Sequence, residues 1–219
     1  MKRTLTVFAV LLLVGCSDDR RYEQAVAVLI DVSGTYADEK AEVVKILKRE
    51  VLPAMLPGDT LLVLRIDSES YQKENVEALV TLDRRPSRSN AQKLGVATRL
   101  DTFAKSPQRS EYTDIPGAMM LASEYLREIP SGSRVMLVFS DMREDLPQGA
   151  TRRLGQTEFE GIEVVALNVK RLAGDTSDPG RFRTRLAHWE QAVTKSGALG
   201  WRTLMDASKL PGLLEEIRS

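Results

Sequence analysis

Six apolar runs of strand length recur along this chain, and helical patterns separate most of them. The runs are Ala25–Ile30, Thr60–Ile66, Ala78–Leu82, Arg134–Phe139, Glu163–Val169 and Trp201–Met205. The first, fourth and fifth are nearly continuous in apolar residues, as strands buried on both faces must be. Helical spacing of apolar residues marks Lys40–Leu52, Ser89–Phe103, Ile115–Leu126, Arg183–Val193 and Ser208–Ile217. Strands alternating with helices predict an α/β fold, doubly wound, with a mostly parallel six-stranded sheet covered on both sides. One link breaks the rule. Asp67–Glu77 is short and polar and has no apolar helical stripe, whereas a parallel crossover needs about a dozen residues or more. The second and third strands are therefore expected to form a hairpin, with one antiparallel strand at the sheet edge. The polar stretches Arg84–Asn90 and Leu172–Gly180 read as surface loops.

Composition narrows the function classes. The 219 residues carry 31 Lys and Arg against 31 Asp and Glu, so no global charge argues for a nucleic-acid partner. One Cys and one His exclude an intramolecular disulfide, a Cys-rich zinc site and a multi-histidine metal cage. The length suits a single domain with a small appendage.

That appendage is at the start. Lys2 and Arg3 precede an apolar run from Leu5 to Val14, a charged region followed by an apolar one, as in a secretory signal. The run is half of the roughly 20 residues a membrane-spanning helix needs. It ends in Leu13-Val14-Gly15-Cys16, which resembles the lipobox of bacterial lipoproteins. The resemblance implies cleavage before Cys16 and diacylglycerol on its thiol, the strongest nucleophile available for alkylation. Several acyl chains together anchor stably to a membrane. Ser17 stands where an Asp would retain an enteric lipoprotein at the inner membrane. The expectation is a periplasm-facing lipoprotein, at the outer membrane if the cell is Gram-negative. The other reading is a buried Cys behind an ordinary signal. The chain thus divides into a leader over 1–15, a lipidated Cys and polar tether over 16–24, and a folded domain over 25–219. Eight tether residues span at most about 28 Å, so the domain would sit near the membrane surface. The leader holds Lys2 and Arg3 and no acid, which leaves the remainder with two more acids than bases.

Three loops bring oxygen-bearing side chains to the ends of this scaffold. The first strand runs into Asp31-Val32-Ser33-Gly34-Thr35, the loop before the Ile115–Leu126 helix carries Thr113-Asp114, and the fourth strand runs into Ser140-Asp141. Ligands of open α/β sheets bind beyond the carboxyl ends of the strands, where strand order reverses. From about Ala25 to Ile217 the chain resembles the von Willebrand factor type A (VWA) domain. That family's metal-ion-dependent adhesion site comprises D-x-S-x-S after the first strand, a Thr in a later loop and an Asp after the fourth strand. Asp31, Ser33 and Thr35 fall on the first part, Thr113 on the second and Asp141 on the third. The resemblance implies a divalent cation, Mg²⁺ foremost, with Mn²⁺ and Ca²⁺ as alternatives. Hydroxyls of Ser33, Thr35 and Thr113 with the charges of Asp31 and Asp141 form the oxygen set a hard cation needs. It also implies an open position that accepts a carboxylate from a protein partner, for adhesion, assembly or scaffolding, without catalysis. Thr35 replaces the usual second Ser and keeps the hydroxyl; Met142 replaces a common Gly. The plainer alternative is that Asp31 and Ser33 only cap the next helix.

An enzymatic alternative half-fits. Asp31-x-Ser33-x-Thr35 resembles the D-x-D-x-[T/V] motif of haloacid-dehalogenase-like phosphatases, with Asp31 as nucleophile, Ser140 as a second motif and Gly174–Asp178 as an acidic third. Ser33, however, cannot protonate a leaving group at neutral pH. His188, beside Trp189 in a helix, has no triad partners, and Met119 and Met120 read as core. Arg84, Arg85 and Arg88, like Arg181, Arg183 and Arg185, read as solvated charge. Replacing Cys16 with Ser is expected to release the protein from membranes in a fractionation assay; unchanged attachment would contradict the lipoprotein reading.

Overall fold

The computed structural model describes residues 22–170, 172, 174, 175 and 178–219, apart from the side chains of Thr35 and Pro179. Cys16 and the whole leader lie outside the described residues. Six strands form one sheet: β1 Gln24–Asp31, β2 Thr60–Ile66, β3 Val76–Thr81, β4 Ser133–Phe139, β5 Glu163–Leu167 and β6 Gly200–Leu204, in the order β3-β2-β1-β4-β5-β6. All neighbouring pairs are parallel except β2 with β3, the expected hairpin. The helices are α1 Lys40–Ile46, α2 Leu52–Ala54, α3 Pro86–Lys105, α4 Ile115–Glu128, α5 Pro179–Lys195 and α6 Leu210–Arg218. No helix among the described residues is long and apolar enough to cross a membrane.

β1 occupies the middle of the sheet, and every one of its residues is buried. Its period-2 alternation sends Val26, Val28 and Ile30 to one face, against α1, α3 and α6. Ala25, Ala27 and Leu29 go to the other, against Ile115, Ala118 and Met119 of α4 and Trp189 and Val193 of α5. Met119 is core, as expected; Met120 is only partly buried.

Several boundaries differ from the sequence reading, each for a local reason. β5 stops at Leu167 because Asn168 turns to φ +50°, outside strand geometry. α3 begins at Pro86, so Ser87–Asn90 are helical where a loop was expected; proline's fixed φ and missing N–H suit the first turn. α5 likewise begins at Pro179, inside the second expected loop. α1 runs into a π-turn over Leu47–Val51, where Leu52 N–H donates to the Leu47 carbonyl, five residues back. Pro53 follows and has no N–H with which to continue the ordinary ladder. The basic loop is locally paired as well as solvated: Arg84 meets Glu23 at 2.7 Å and Arg85 meets Asp83 at 2.9 Å.

The chain enters the sheet through a polar clasp. Asp59, fully buried, accepts the Gln24 N–H at 2.8 Å and the Leu56 N–H at 2.7 Å. The Arg218 guanidinium adds a two-pronged pair at 2.7 Å on each oxygen. The first strand, the second strand and the last helix are thus joined at one buried charge. Arg218→Ala should cost about 2–4 kcal/mol, since it strips a buried carboxylate of its counter-ion while leaving two amide donors. Urea denaturation reads this directly, and an unshifted midpoint would refute the clasp.

Candidate metal centre

The carboxyl end of β1 places Asp31 at the centre of the sheet's upper edge, 1 % exposed. The β1–β4 register pairs Ile30 with Phe139, so the next residues, Asp31 and Ser140, adjoin. Ser140 Oγ donates to Asp31 Oδ2 at 2.7 Å. Asp31 Oδ1 accepts both the Ser33 N–H, at 2.8 Å, and the Ser33 hydroxyl, at 2.5 Å. Ser33 Oγ also lies 2.5 Å from Thr113 Oγ1. A continuous line of oxygens therefore runs from Thr113 through Ser33 to Asp31 and on to Ser140. Ser33 precedes the 3₁₀ turn Gly34–Glu39, and its side chain makes no capping hydrogen bond to that turn.

The three loops are stitched by main-chain bonds. Gly34 N–H donates to the Ser110 carbonyl at 3.3 Å, and Ser110 N–H to that of Val32 at 3.0 Å. Thr113 and Asp145 exchange two bonds, at 2.6 and 3.1 Å. Asp114, fully buried, caps α4 by accepting the Gly117 N–H at 2.9 Å, and it pairs with Arg152 at 3.0 Å. A Cβ at position 117 would come within 2.2 Å of Asp114 Oδ2, so only glycine permits this cap. The cap fixes the loop that presents Thr113.

Ser33, Thr113 and Asp141 line one small cleft of about 170 Å³, together with Glu111, Arg143 and Asp145. Asp31 is not in its wall; it stands behind Ser33 as a charge. Asp141 Oδ1 accepts the Arg143 N–H at 2.8 Å. Burial raises Asp31 to about 6, against hydrogen bonds from Ser140 and Ser33 that pull it down. Burial raises Asp141 as well, opposed by the Arg143 amide. Two desolvated carboxylates, Asp141 in the cleft wall and Asp31 behind Ser33, carry a charge cost that a cation would offset. The donor set suits a hard divalent ion. No group of three or more His, Cys, Asp or Glu that could hold a metal occurs among the described residues. Thr35 lies in the 3₁₀ turn, and its side chain falls outside the described residues.

The structure aligns with an aerotolerance-related membrane protein from Bacteroides fragilis over 90% of this chain and 98% of that one, at 13% identity and TM-score 0.52. It aligns with the conserved hypothetical protein BatB from Bacteroides thetaiotaomicron over 89% of this chain and 96% of that one, at 12% identity and TM-score 0.51. A von Willebrand factor type A protein from Catenulispora acidiphila aligns over 90% of this chain and 42% of its own, at 14% identity and TM-score 0.49. No family model matches the sequence, and no curated protein matches it significantly. The chain shares its overall fold with the first two of these proteins, the mixed α/β sheet that the resemblance of the sequence to the VWA domain implies.

Within this fold, the departure at Met142 has a structural account. Met142 adopts φ +62°, the left-handed region where glycine is at ease. The side chain is buried, the N–H donates to Ser140 Oγ at 3.0 Å, and the carbonyl accepts Trp189 Nε1–H at 2.8 Å. Arg185 Nε donates to the preceding carbonyl, that of Asp141, at 2.9 Å, and its guanidinium pairs with Asp175 at 2.7 Å. α5 thereby grips two successive carbonyls of the loop that presents Asp141. Neither Arg185 nor Trp189 stood out as a site residue in sequence, and Arg185 is no solvated charge. Ser140 and Trp189 hold the site without lining its cleft.

Ser140→Ala removes a donor from the buried Asp31 and an acceptor from Met142. It should cost about 2 kcal/mol of stability by chemical denaturation. A loss near zero would show that Asp31 does not depend on it.

Proposed function

We propose that this chain is a lipid-anchored cell-envelope protein whose VWA fold holds a divalent cation and docks a partner protein through it. The carrying observation is the convergence of the Ser33 and Thr113 hydroxyls and the Asp141 carboxylate on one cleft, with the Asp31 charge behind them. Mg²⁺ is the favoured ion, with Mn²⁺ and Ca²⁺ as alternatives, and Thr35 is proposed as a further hydroxyl ligand. Neutral oxygens leave a bound ion electrophilic, so it can take a carboxylate oxygen from a partner. Asp31 orients Ser33 through two hydrogen bonds, and Ser33 in turn meets Thr113.

The address fits the same reading. The chain enters the sheet at Gln24, the end of β1 opposite Asp31. A tether from a lipidated Cys16 would leave the cleft on the side of the domain facing away from the membrane. The likeness to an aerotolerance-related membrane protein is consistent with an envelope role.

The phosphatase geometry is poor. Both Asp31 oxygens accept hydrogen bonds within the fold, and Ser33 stands where the general acid would be. Asp178 caps α5 through the Gly180 N–H, and Asp175 is engaged by Arg185.

The test is thermal unfolding of the full chain with and without Mg²⁺ or Mn²⁺. A ligand at one hundred times its dissociation constant adds about 2.7 kcal/mol, or about 5–10 °C in Tm for a chain of this size. Asp31→Asn and Thr113→Val should each lose this gain. An undiminished gain in both folded variants would overturn the site assignment. Sustained phosphate release from an aryl phosphate, abolished by Asp31→Asn, would overturn the binding role itself.

A further inference from the structure

Beside the metal cleft, two hollows of about 610 and 790 Å³ flank α5 and merge along it. They share Glu144, His188 and Trp189. Arg143 lines both the first hollow and the metal cleft, so the cleft adjoins the hollows at that residue, and the three depressions are treated together as one groove. Its floor is partly apolar: Trp189 underlies both hollows, with Met142 in the first and Leu154 in the second.

The walls are basic. Two of the arginines are already committed, Arg152 to Asp114 and Arg185 to Asp175. Arg181 has only a loose 3.7 Å contact with Asp178, both side chains being largely exposed. Arg143, Arg153 and Lys195 are exposed at the groove and make no ion pair among the described residues. Glu144 and Asp178 are the acids of the two hollows, while Glu111, Asp141 and Asp145 line the metal cleft at the groove's end, so the basic wall belongs to the hollows. This cationic excess sits on a chain whose net charge is zero, so it is a local feature of this face.

We propose that the groove docks an acidic segment of the partner protein, with apolar residues between its carboxylates. One carboxylate reaches the metal cleft, its neighbours meet Arg143, Arg153 and Lys195, and the apolar residues pack over Trp189. This rests on the reading of the cleft as a carboxylate-accepting metal centre and specifies the partner's chemistry. Three features select a peptide over a phosphate polymer. The floor is partly apolar, Glu144 and Asp178 interrupt the basic wall of the hollows, and the hollows adjoin a cleft read as accepting carboxylate. Opposed charges on exposed walls steer association, and an apolar floor supplies residence.

The probe is a fluorescein-labelled peptide of alternating aspartate and leucine, compared with its asparagine counterpart, read by fluorescence anisotropy on the full chain. The aspartate peptide should bind, with affinity falling as salt rises, and the asparagine peptide should not. The double variant Arg153→Glu/Lys195→Glu should weaken binding by about tenfold. It should leave the Mg²⁺-induced gain in Tm unchanged, which also shows that the variant is folded. If that variant binds the peptide as the wild type does, the groove proposal is overturned, whatever the metal result. If the wild type gains no stability from Mg²⁺ while peptide binding still falls in the variant, the metal reading fails and the groove stands. Binding of anionic phosphatidylglycerol vesicles in place of the peptide, lost in the variant, would make a lipid surface the occupant and overturn the proposal.

Discussion

The arrangement depends on a carboxylate held almost out of water at the end of the central strand. Asp31 closes a run of eight residues that are all buried, so its charge cannot be solvated in the ordinary way. Ser33 and Ser140 replace part of that hydration, and burial still pushes the group up to about 6. An uncompensated buried charge is among the more costly features a fold can carry. Its neighbours follow from that cost. Ser140 is fixed beside it by strand register, Ser33 by the tight turn after β1, and Thr113 by contact with Ser33. A cation in the adjoining cleft would give the charge a counterpart, which is the physical reason to propose metal-dependent docking for this fold.

Features with period and punctuation were legible in the sequence. Near-continuous apolar runs marked β1, β4 and β5, and the short polar link Asp67–Glu77 marked the hairpin. Asp31, Ser33, Thr113 and Asp141 announced themselves as oxygen carriers at loop positions. Two kinds of information were not legible. Boundaries set by single backbone choices, such as the turn at Asn168 or the proline start of α3, compete with propensity over one or two residues. Contacts between distant segments also stay hidden until strand neighbours are known. The role of Ser140 follows only once β4 lies beside β1, and the grip of Arg185 and Trp189 only once α5 packs under the β4 loop.

The two ends of β1 carry different duties. At Gln24 the incoming chain is tied to Asp59, which Arg218 of the last helix also holds. At Asp31, about 23 Å away along an eight-residue strand, the strand opens onto the cleft. The left-handed Met142 shows the opposite economy at the cleft: a strained residue is held in place by Ser140, Trp189 and its own buried side chain.

The central claim is that a divalent cation binds where these hydroxyls and carboxylates converge. Anomalous diffraction from crystals soaked in Mn²⁺ tests it most directly. An anomalous peak is expected in the cleft, bounded by Ser33, Thr113 and Asp141, and absent from a Ser33→Ala/Asp141→Ala variant of unchanged fold. No peak in that cleft, or a peak that persists in the double variant, would contradict it.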